Sequence, residues 1–309
     1  MRWRRRSLRR GHAGPPRRSR SVASGAPDEP SPGERPIPQV VRASGRPKTR
    51  LRAQRGRPQL VDWMNMATGP TIAESALAIP YGGDGSGAFM GGDRVAKLVA
   101  RPRVARRWAR TSVALMDGGI CVARGVCVPF ASTVDGRDLF PDAGWDQVAI
   151  WAAEDALDDR QSDTLSALEI AVHPAHQRQG LSARVLDGMI ANARALGYSR
   201  LIAPVRPPRK GDQPNVSMHD YALATRTDGL PVDPWLRVHI RAGGRIVGVA
   251  PCSATVVARL DAWRRWTGLP FRSDGEHCVP GALVPVIVSL ERDLGIYVEP
   301  NVWVDHSLP

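Results

Sequence analysis

Cysteine is scarce in this 309-residue sequence, and long hydrophobic runs are absent from it. The four cysteines lie far apart and form no CxxC pair, which predicts free thiols and disfavours a disulfide framework. No stretch approaches the roughly 18 apolar residues that a membrane span needs. The arginines near the first residue are not followed by the apolar segment of a secretory signal. We therefore expect a cytoplasmic protein without a membrane-spanning segment.

Acidic residues are almost absent from positions 1–58. The formal net charge of the whole chain is +13. This segment holds 17 of the 43 lysines and arginines and three acids, Asp28, Glu29 and Glu34. The rest of the chain is nearly balanced, so the basicity belongs to the segment. It is rich in proline, glycine and serine and nearly free of aromatic residues. Such a composition cannot bury enough apolar surface to offset the conformational entropy of ordering, which predicts a disordered tail.

Two interpretations of this tail are open. An arginine-rich arm can hold nucleic acid or anionic lipid through their phosphate charges. Alternatively, the tail is solvated and has no partner, or translation begins at Met64 or Met66.

Residues 59–309 have the composition of a folded domain, and their hydrophobic patterns predict an alternation of strands and helices. The predicted elements are a hairpin at 112–130, helices at 145–158, 180–196, 217–227 and 258–267, a helix capped by Asp233, strands at 164–174, 200–207 and 245–258, and a second hairpin near the end. Asp142 is the predicted cap of the helix at 145–158, and Leu168, Ile170 and Val172 are predicted to share one face of the strand at 164–174. The apolar stripe of the helix at 180–196 contains Leu181, Val185, Met189, Ala193 and Leu196. Strand, helix and strand over 164–207 form a β-α-β unit, which predicts parallel neighbours in a sheet. Residues 67–110, with a glycine-rich piece at 82–93, give no clear pattern beyond a loop.

The predicted helix at 145–158 ends in a cluster of acidic residues. The cluster contains Glu154, Asp155, Asp158 and Asp159. It either attracts a cationic substrate or forms a solvated face.

The segment HPAHQRQGLSARVLDGM, residues 173–189, joins a predicted strand to a predicted amphipathic helix. Backbone N–H groups in the first turn of a helix have no partner within the helix, and the helix dipole adds positive charge there. Gly180 and Ser182 are small enough to let a phosphate approach this backbone. Further donors are Gln177, Arg178 and Gln179. No GxxxxGK[ST] motif occurs, so the pattern predicts a metal-free diphosphate site for a cofactor and argues against phosphoryl transfer.

This strand–turn–helix resembles motif A of the GNAT acyltransferases, in which Arg/Gln-x-x-Gly-x-Gly/Ala holds the pyrophosphate of acetyl-coenzyme A. Gln177 and Gly180 match the first two motif positions, and Ser182 stands at the third in place of Gly or Ala. The resemblance covers about 110–258, with 259–309 as a C-terminal extension. It implies an α/β fold of the α+β kind, whose mixed, mostly antiparallel twisted sheet carries helices on both faces. It also implies acetyl-CoA, or another acyl-CoA, as the cofactor, with Leu181 among the residues of the cofactor site.

The resemblance implies roles for the predicted strand at 164–174. This strand would splay from its neighbour, and the backbone N–H of Val172, with Ile170 nearby, would meet the acyl carbonyl. Glu169 is the only acid on the strand and is the candidate general base. The alternative is that Glu169 pairs with a neighbouring arginine.

Two residues are candidates for the acid that protonates the leaving thiolate. His239 stands four positions before Gly243, where the family often has a tyrosine, and the alternative is a structural histidine. Tyr221 is the second candidate. His173 and His176 have no third ligand near them in sequence, so no metal is predicted.

The function that the resemblance implies is acyl-CoA-dependent transfer of an acetyl group to a primary amine by direct attack. The acceptor is a small-molecule or a protein amine, and no membrane is involved. Two alternatives stay open: a GNAT-like module that binds CoA without turnover, and a nucleic-acid-binding protein that acts through residues 1–58. The sequence leaves the oligomeric state open, a homodimer included.

Overall fold

A mixed sheet organises the structure, which is a computed structural model that describes residues 62–79 and 87–308. Its strands are β1 (Asp62–Asn65), β2 (Val113–Asp117), β3 (Ile120–Phe130), β4 (Thr164–Val172), β5 (Arg200–Val205), β6 (Arg245–Arg259), β7 (Gly275–His277), β8 (Val286–Ser289) and β9 (Leu294–Ser307). Among the described residues their order is β1-β2-β3-β4-β5-β9-β8-β7, with β6 paired to β9. The tail predicted at 1–58 lies outside the described residues.

The helices lie between these strands. They are α1 (Pro70–Leu77), α2 (Arg94–Val99), α3 (Pro102–Ala105), α4 (Gly144–Leu157), α5 (Leu181–Ala195), α6 (Met218–Leu223), α7 (Pro234–Arg241) and α8 (Leu260–Thr267). Within residues 62–79 and 87–308, no helix is both long and apolar enough to cross a membrane.

The predicted fold class is confirmed. Strands β2 and β3 form the predicted hairpin, and Gly118 and Gly119 at its turn have the positive φ angles of 56° and 85° that a tight two-residue turn requires. Strands β4 and β5 are parallel, as the β-α-β pattern predicted, and the other strand pairs are antiparallel.

Helix α5 packs on one face of the sheet and α4 on the other. Val185, Met189 and Ala193 of the predicted apolar stripe are fully buried in the core beneath α5. The helix can lie this close to β3 because position 125 is glycine. A Cβ at Gly125 would stand 2.7 Å from both Val185 and Met189. On the opposite face, α4 packs with residues of β3, β5 and β9.

A bulge in β4 contradicts one part of the predicted alternation. Leu168 was expected to face the same way as Ile170 and Val172. The pairing with β3 shifts between Val126 and Cys127, which leaves Leu168 as the extra residue. Leu168 therefore packs in the core beside α4, whereas Ile170 and Val172 pack toward α5.

Strands β4 and β5 separate soon after they meet. Their ladder consists of Leu165 opposite Leu201 and Ser166 opposite Ile202. Beyond Ser166 the two strands diverge, and β9 supplies the continuous antiparallel partner for β5. The divergence opens a cleft in the middle of the sheet.

Two predicted helix boundaries are wrong. Asp142 was expected to cap the helix at 145–158, but the N-cap of α4 is Ala143, whose side chain makes no capping bond. Gly144 has a φ of 37°, and a Cβ there would collide with Ser253, so close packing against β6 sets the start of α4. The helix predicted at 217–227 is the shorter α6.

The end of the chain is part of the central sheet. Strand β9 lies within the segment 259–309 that the sequence suggested as an extension, yet it pairs with β5, β6 and β8. Its position beside β5 places Glu299 and Asn301 next to the cleft.

Candidate active site

A cavity of about 320 Å³ occupies the cleft between β4 and β5. Its wall contains nine of the eleven predicted site residues. They are Glu169, Ile170, Val172, Gln177, Arg178, Gly180, Leu181, Ser182 and His239. Gln179 is exposed on the turn outside the wall, and Tyr221 also lies outside it.

The turn before α5 leaves the N-terminus of the helix uncovered. Gly180 is the N-cap of α5, has a φ of 74° and makes no side-chain capping bond. No atom lies within 4 Å of the place where a Cβ on Gly180 would stand. Arg178 also has a positive φ, 61°. The first N–H groups of α5 therefore face an open space that suits an anion.

The side chain of Leu181 does not face this space. It is buried in the core beneath α5. Leu181 can therefore contribute only its backbone to the turn.

The backbone N–H groups of Ile170 and Val172 are directed into the cleft. The N–H of His173 donates to the carbonyl of Val122 on β3 at 2.9 Å. Because successive N–H groups of a strand point to opposite edges, those of Val172 and Ile170 point away from β3. On that side β5 has already diverged. The predicted donors thus have the required direction.

Glu169 forms an ion pair, which is the alternative that the sequence left open. Nη2 of Arg124 donates to both carboxylate oxygens of Glu169, at 2.9 and 3.1 Å. Arg124 is buried on β3, and its Nη1 donates to the carbonyls of Ala76 and Ile79 at the end of α1. Removing Glu169 would leave the charge of Arg124 buried without its counter-ion, so this carboxylate has a structural role.

His239 is buried beside a second histidine. Its Nδ1 lies 3.0 Å from Nε2 of His306. Burial, with a smaller effect of His306, lowers the pKa of His239 to about 3. The imidazole is therefore neutral near pH 7, and no imidazolium is available to protonate a thiolate. The structure does not support the predicted acid role of His239.

We expect His239→Gln to leave the shape of the pH–rate profile unchanged between pH 5 and 9, even where the rate itself falls. The physical reason is that a group with a pKa of about 3 does not titrate in this range. The measurement is thiol release from acetyl-CoA at a series of pH values. Loss of a limb of the profile in the variant would assign the titration to His239.

Tyr221 is also unsuited to the acid role. Its hydroxyl donates to Oδ2 of Asp233 at 3.2 Å, away from the cavity wall. Burial and the neighbouring Asp233 raise the pKa of Tyr221. Asp233 itself caps α7, as the sequence predicted, so Tyr221 supports this helix start.

A hydrogen-bonded group that the sequence did not predict contributes Arg206 and Glu299 to the wall of the cavity. Nε of Arg206 donates to both oxygens of Glu299, at 3.1 and 3.0 Å. The hydroxyl of Tyr297 donates to Glu299 at 2.8 Å. Trp145 also lines the cavity, and its Nε1 donates to the carbonyl of the bulged Leu168 at 2.8 Å. This hydrogen bond links the bulge in β4 to α4.

Two further carboxyl groups are bonded to each other, and one of them lines the cavity. Asp93 is the N-cap of α2 and lines the cavity, and its side chain is hydrogen-bonded to that of Asp146 on α4. Burial, followed by the charge of Asp93, raises the pKa of Asp146 to about 8. Burial also raises the pKa of Asp93.

The sequence contained a signal for some of these residues. Arg124 and Glu299 are charged residues inside apolar strand patterns, and such residues are buried only with a partner. Asp93 precedes an apolar run at the spacing of an N-cap. Nothing in the pattern indicated that α2 and α4 would meet at the cleft.

The acidic end of α4 is not part of the site. Glu154 and Asp155 pair with Arg137, and Asp158 pairs with Arg160. These local ion pairs neutralise the three carboxylates. The structure therefore does not support the alternative in which the cluster attracts a cationic substrate.

The described residues contain no group of three His, Cys, Asp or Glu side chains that could hold a metal ion. The rings of His173 and His176 are 5.8 Å apart, and Nδ1 of His173 accepts a hydrogen bond from the N–H of Ala175.

The sequence is similar to that of a protein named as an N-acetyltransferase. The arginine N-acetyltransferase avaD of Aspergillus versicolor is 34% identical to the chain over 207 residues, which are 60% of this chain and 70% of that enzyme. The chain belongs to the GNAT N-acetyltransferase family. No family model matches the chain.

Solved structures of GNAT proteins are similar to the chain at a lower level. The loading GNATL domain of CurA from Lyngbya majuscula is 17% identical, with a TM-score of 0.45, over 67% of this chain and 83% of that one. The ribosomal-protein-S18-alanine N-acetyltransferase from Escherichia coli is 11% identical, with a TM-score of 0.33, over 81% of this chain and 94% of that one. Membership of the GNAT family rests on the sequence relative.

Proposed function

We propose that this GNAT protein transfers the acetyl group of acetyl-CoA to a primary amine by direct attack of the amine on the thioester. One observation carries the proposal: a single cleft joins the uncovered N-terminus of α5 to the inward-facing N–H groups of Ile170 and Val172. The first of these features suits a diphosphate and the second suits an acyl oxygen.

The residues of the cleft fit an acyl-CoA. The first N–H groups of α5, with Gly180 and Ser182, would hold the diphosphate, because no side chain covers the mouth of the helix. Acetyl-CoA supplies an activated acetyl group in the form of a thioester. The N–H groups of Val172 and Ile170 are fixed by the sheet, so they can stabilise negative charge on the acyl oxygen without reorganising.

The acceptor that we propose is arginine or an amine like it. The relative from Aspergillus versicolor is named an arginine N-acetyltransferase. The wall of the cavity in this chain includes Asp93, a carboxyl group that forms no salt bridge among the described residues and that suits a cationic molecule. A neutral amine must attack, so the ammonium proton has to leave before the C–N bond forms.

The test is thiol release from acetyl-CoA in the presence of a panel of amines, with identification of the products by mass spectrometry. We expect arginine to be acetylated at its α-amine, with release of one CoA thiol for each acetyl group transferred. The control is the same mixture without amine, which measures hydrolysis of the thioester. Tight binding of acetyl-CoA with no amine-dependent release would contradict the proposal and favour the non-catalytic CoA-binding module.

A further inference from the structure

A second cavity, of about 250 Å³, lies on the face of the sheet that carries α4. Two of its fourteen wall residues, Arg124 and Glu169, are charged. The other twelve are apolar: Leu77, Ala78, Ile79, Ala96, Val99, Ala100, Pro102, Ala105, Trp108, Val126, Trp145 and Leu168. Ala78, Ala100 and Pro102 are exposed, so a small molecule can enter from solvent. The volume exceeds the roughly 150 Å³ that suffices for a bound benzene molecule.

Arg124 contributes to this wall a hydrogen-bond donor that the described residues do not satisfy. Arg124 is 4% exposed. Its Nη1 donates to the carbonyls of Ala76 and Ile79, and its Nη2 donates to Glu169. These bonds hold the guanidinium in place. Its Nε is buried and has no hydrogen-bond partner within residues 62–79 and 87–308. A buried donor without a partner costs free energy, which an acceptor oxygen on a bound molecule would recover.

The ion pair of Arg124 restricts the chemistry of that molecule. Glu169 already balances the charge of the guanidinium. A carboxylate in the cavity would therefore add an unpaired negative charge among apolar side chains, which is unfavourable. A pure hydrocarbon would leave Nε without a partner. A neutral carbonyl oxygen on an apolar body avoids both costs.

We propose that the second cavity binds an apolar group that carries a neutral carbonyl oxygen, and that Nε of Arg124 donates to this oxygen. Trp145, Leu168 and Glu169 belong to the walls of both cavities, so the bound group lies next to the cleft between β4 and β5. The group is either the non-reacting part of an acceptor or a separate ligand. Its binding needs no turnover, so the proposal does not rest on the proposed function.

The test uses three probes that have the same number of non-hydrogen atoms. Acetophenone carries a neutral carbonyl, cumene has no oxygen, and benzoate carries a negative charge. Each probe is titrated into the full chain, and NMR gives the affinity. We expect acetophenone to bind about 10-fold more tightly than cumene, because it satisfies the buried donor. Benzoate should bind at least about 10-fold more weakly than acetophenone. Equal affinities for acetophenone and cumene, or tighter binding of benzoate, would overturn the proposal.

Two variants assign the binding to this cavity. Arg124→Lys keeps a positive charge beside Glu169 but has no Nε–H, so acetophenone should lose its advantage over cumene. Ala96→Leu fills the cavity from α2 with a residue that favours helices, so all three probes should lose their binding. Ala195→Leu is the matched control, at an exposed position of α5 outside both cavities, and should bind the probes as the wild type does. Unchanged binding of acetophenone to a folded Ala96→Leu protein would refute the site.

A titration of acetophenone into the chain saturated with CoA and arginine distinguishes the two sources of the carbonyl group. Weaker binding than without arginine would assign the cavity to part of the acceptor, and unchanged binding would assign it to a separate ligand. The site and the proposed function can fail independently. Binding of acetophenone that depends on Arg124, without acetylation of any amine, would support the site and refute the proposed function. Acetylation of an amine by a protein that binds none of the probes would do the reverse.

Discussion

Gly180→Glu should weaken the binding of acetyl-CoA by about 100-fold or more, close to 3 kcal/mol, while the protein stays folded. The substitution places a negative charge and a long side chain at the mouth of α5, where the diphosphate would lie. A Cβ at this position would have no neighbouring atom within 4 Å, so the side chain can begin without a clash. Its cost to stability is the left-handed backbone at Gly180, about 1–2 kcal/mol. Calorimetry gives the affinity, and the melting temperature reports the stability.

Gly197→Glu is the control for this experiment. Gly197 follows the other end of the same helix, with a φ of 83° and no atom within 4 Å of a Cβ. The control therefore introduces the same charge and a similar backbone strain far from the proposed diphosphate site. It should lower the melting temperature by a similar amount and leave the affinity for acetyl-CoA unchanged. Equal affinities in both variants would refute a diphosphate site at the turn.

Asp146→Asn should make the stability of the protein less sensitive to pH between 6.5 and 8. The pKa of Asp146 is raised to about 8 in the folded protein from an ordinary value of 3.8. Between these values the folded state holds a proton that the unfolded state lacks, so the free energy of unfolding falls as the pH rises. One such group lowers it by at most about 1.4 kcal/mol per pH unit, and solvent near the partly exposed Asp146 reduces this value.

The window above pH 6.5 isolates this effect from the buried histidines. The pKa values of His239 and His306 are lowered to about 3 and about 4, so their contribution increases stability with pH only up to the ordinary histidine value near 6.5. We expect the melting temperature of the wild-type protein to fall by several degrees from pH 6.5 to 8. Asp146→Asn should fall less, and Asp135→Asn, the matched control at an exposed position, should follow the wild type. Parallel curves for all three proteins would contradict the assignment to Asp146.

Local chemistry made much of the fold predictable. The hairpin of β2 and β3 follows from two glycines that can adopt positive φ, and α7 follows from Asp233 as its N-cap and Pro234 at its first position. The turn that we propose as the diphosphate site was recognisable because Gly180 is small at a strand–helix junction. Each of these features depends on a few neighbouring residues, which is the range over which sequence patterns are informative.

The features that the sequence did not predict depend on contacts between distant parts of the chain. The bulge at Leu168 shifts the pairing by one residue, and its carbonyl bonds to Trp145, which lies 23 positions earlier. The carboxyl pair exists only because α2 and α4 meet, and each carboxyl alone resembles an ordinary capping or surface group. The short helices α1 to α3 carry little periodicity, so residues 67–110 gave no clear pattern.

The position of β9 has a consequence for how the cleft is assembled. Six residues of β5, from Arg200 to Val205, pair with residues of β9 that lie roughly a hundred positions later, whereas β4 offers β5 only two pairs. Contacts of such long range are slow to form, because the loop between them must close first. Until then β5 presents an unpaired edge, which is a site for aggregation. We therefore expect the cleft to form only after β9 has paired with β5.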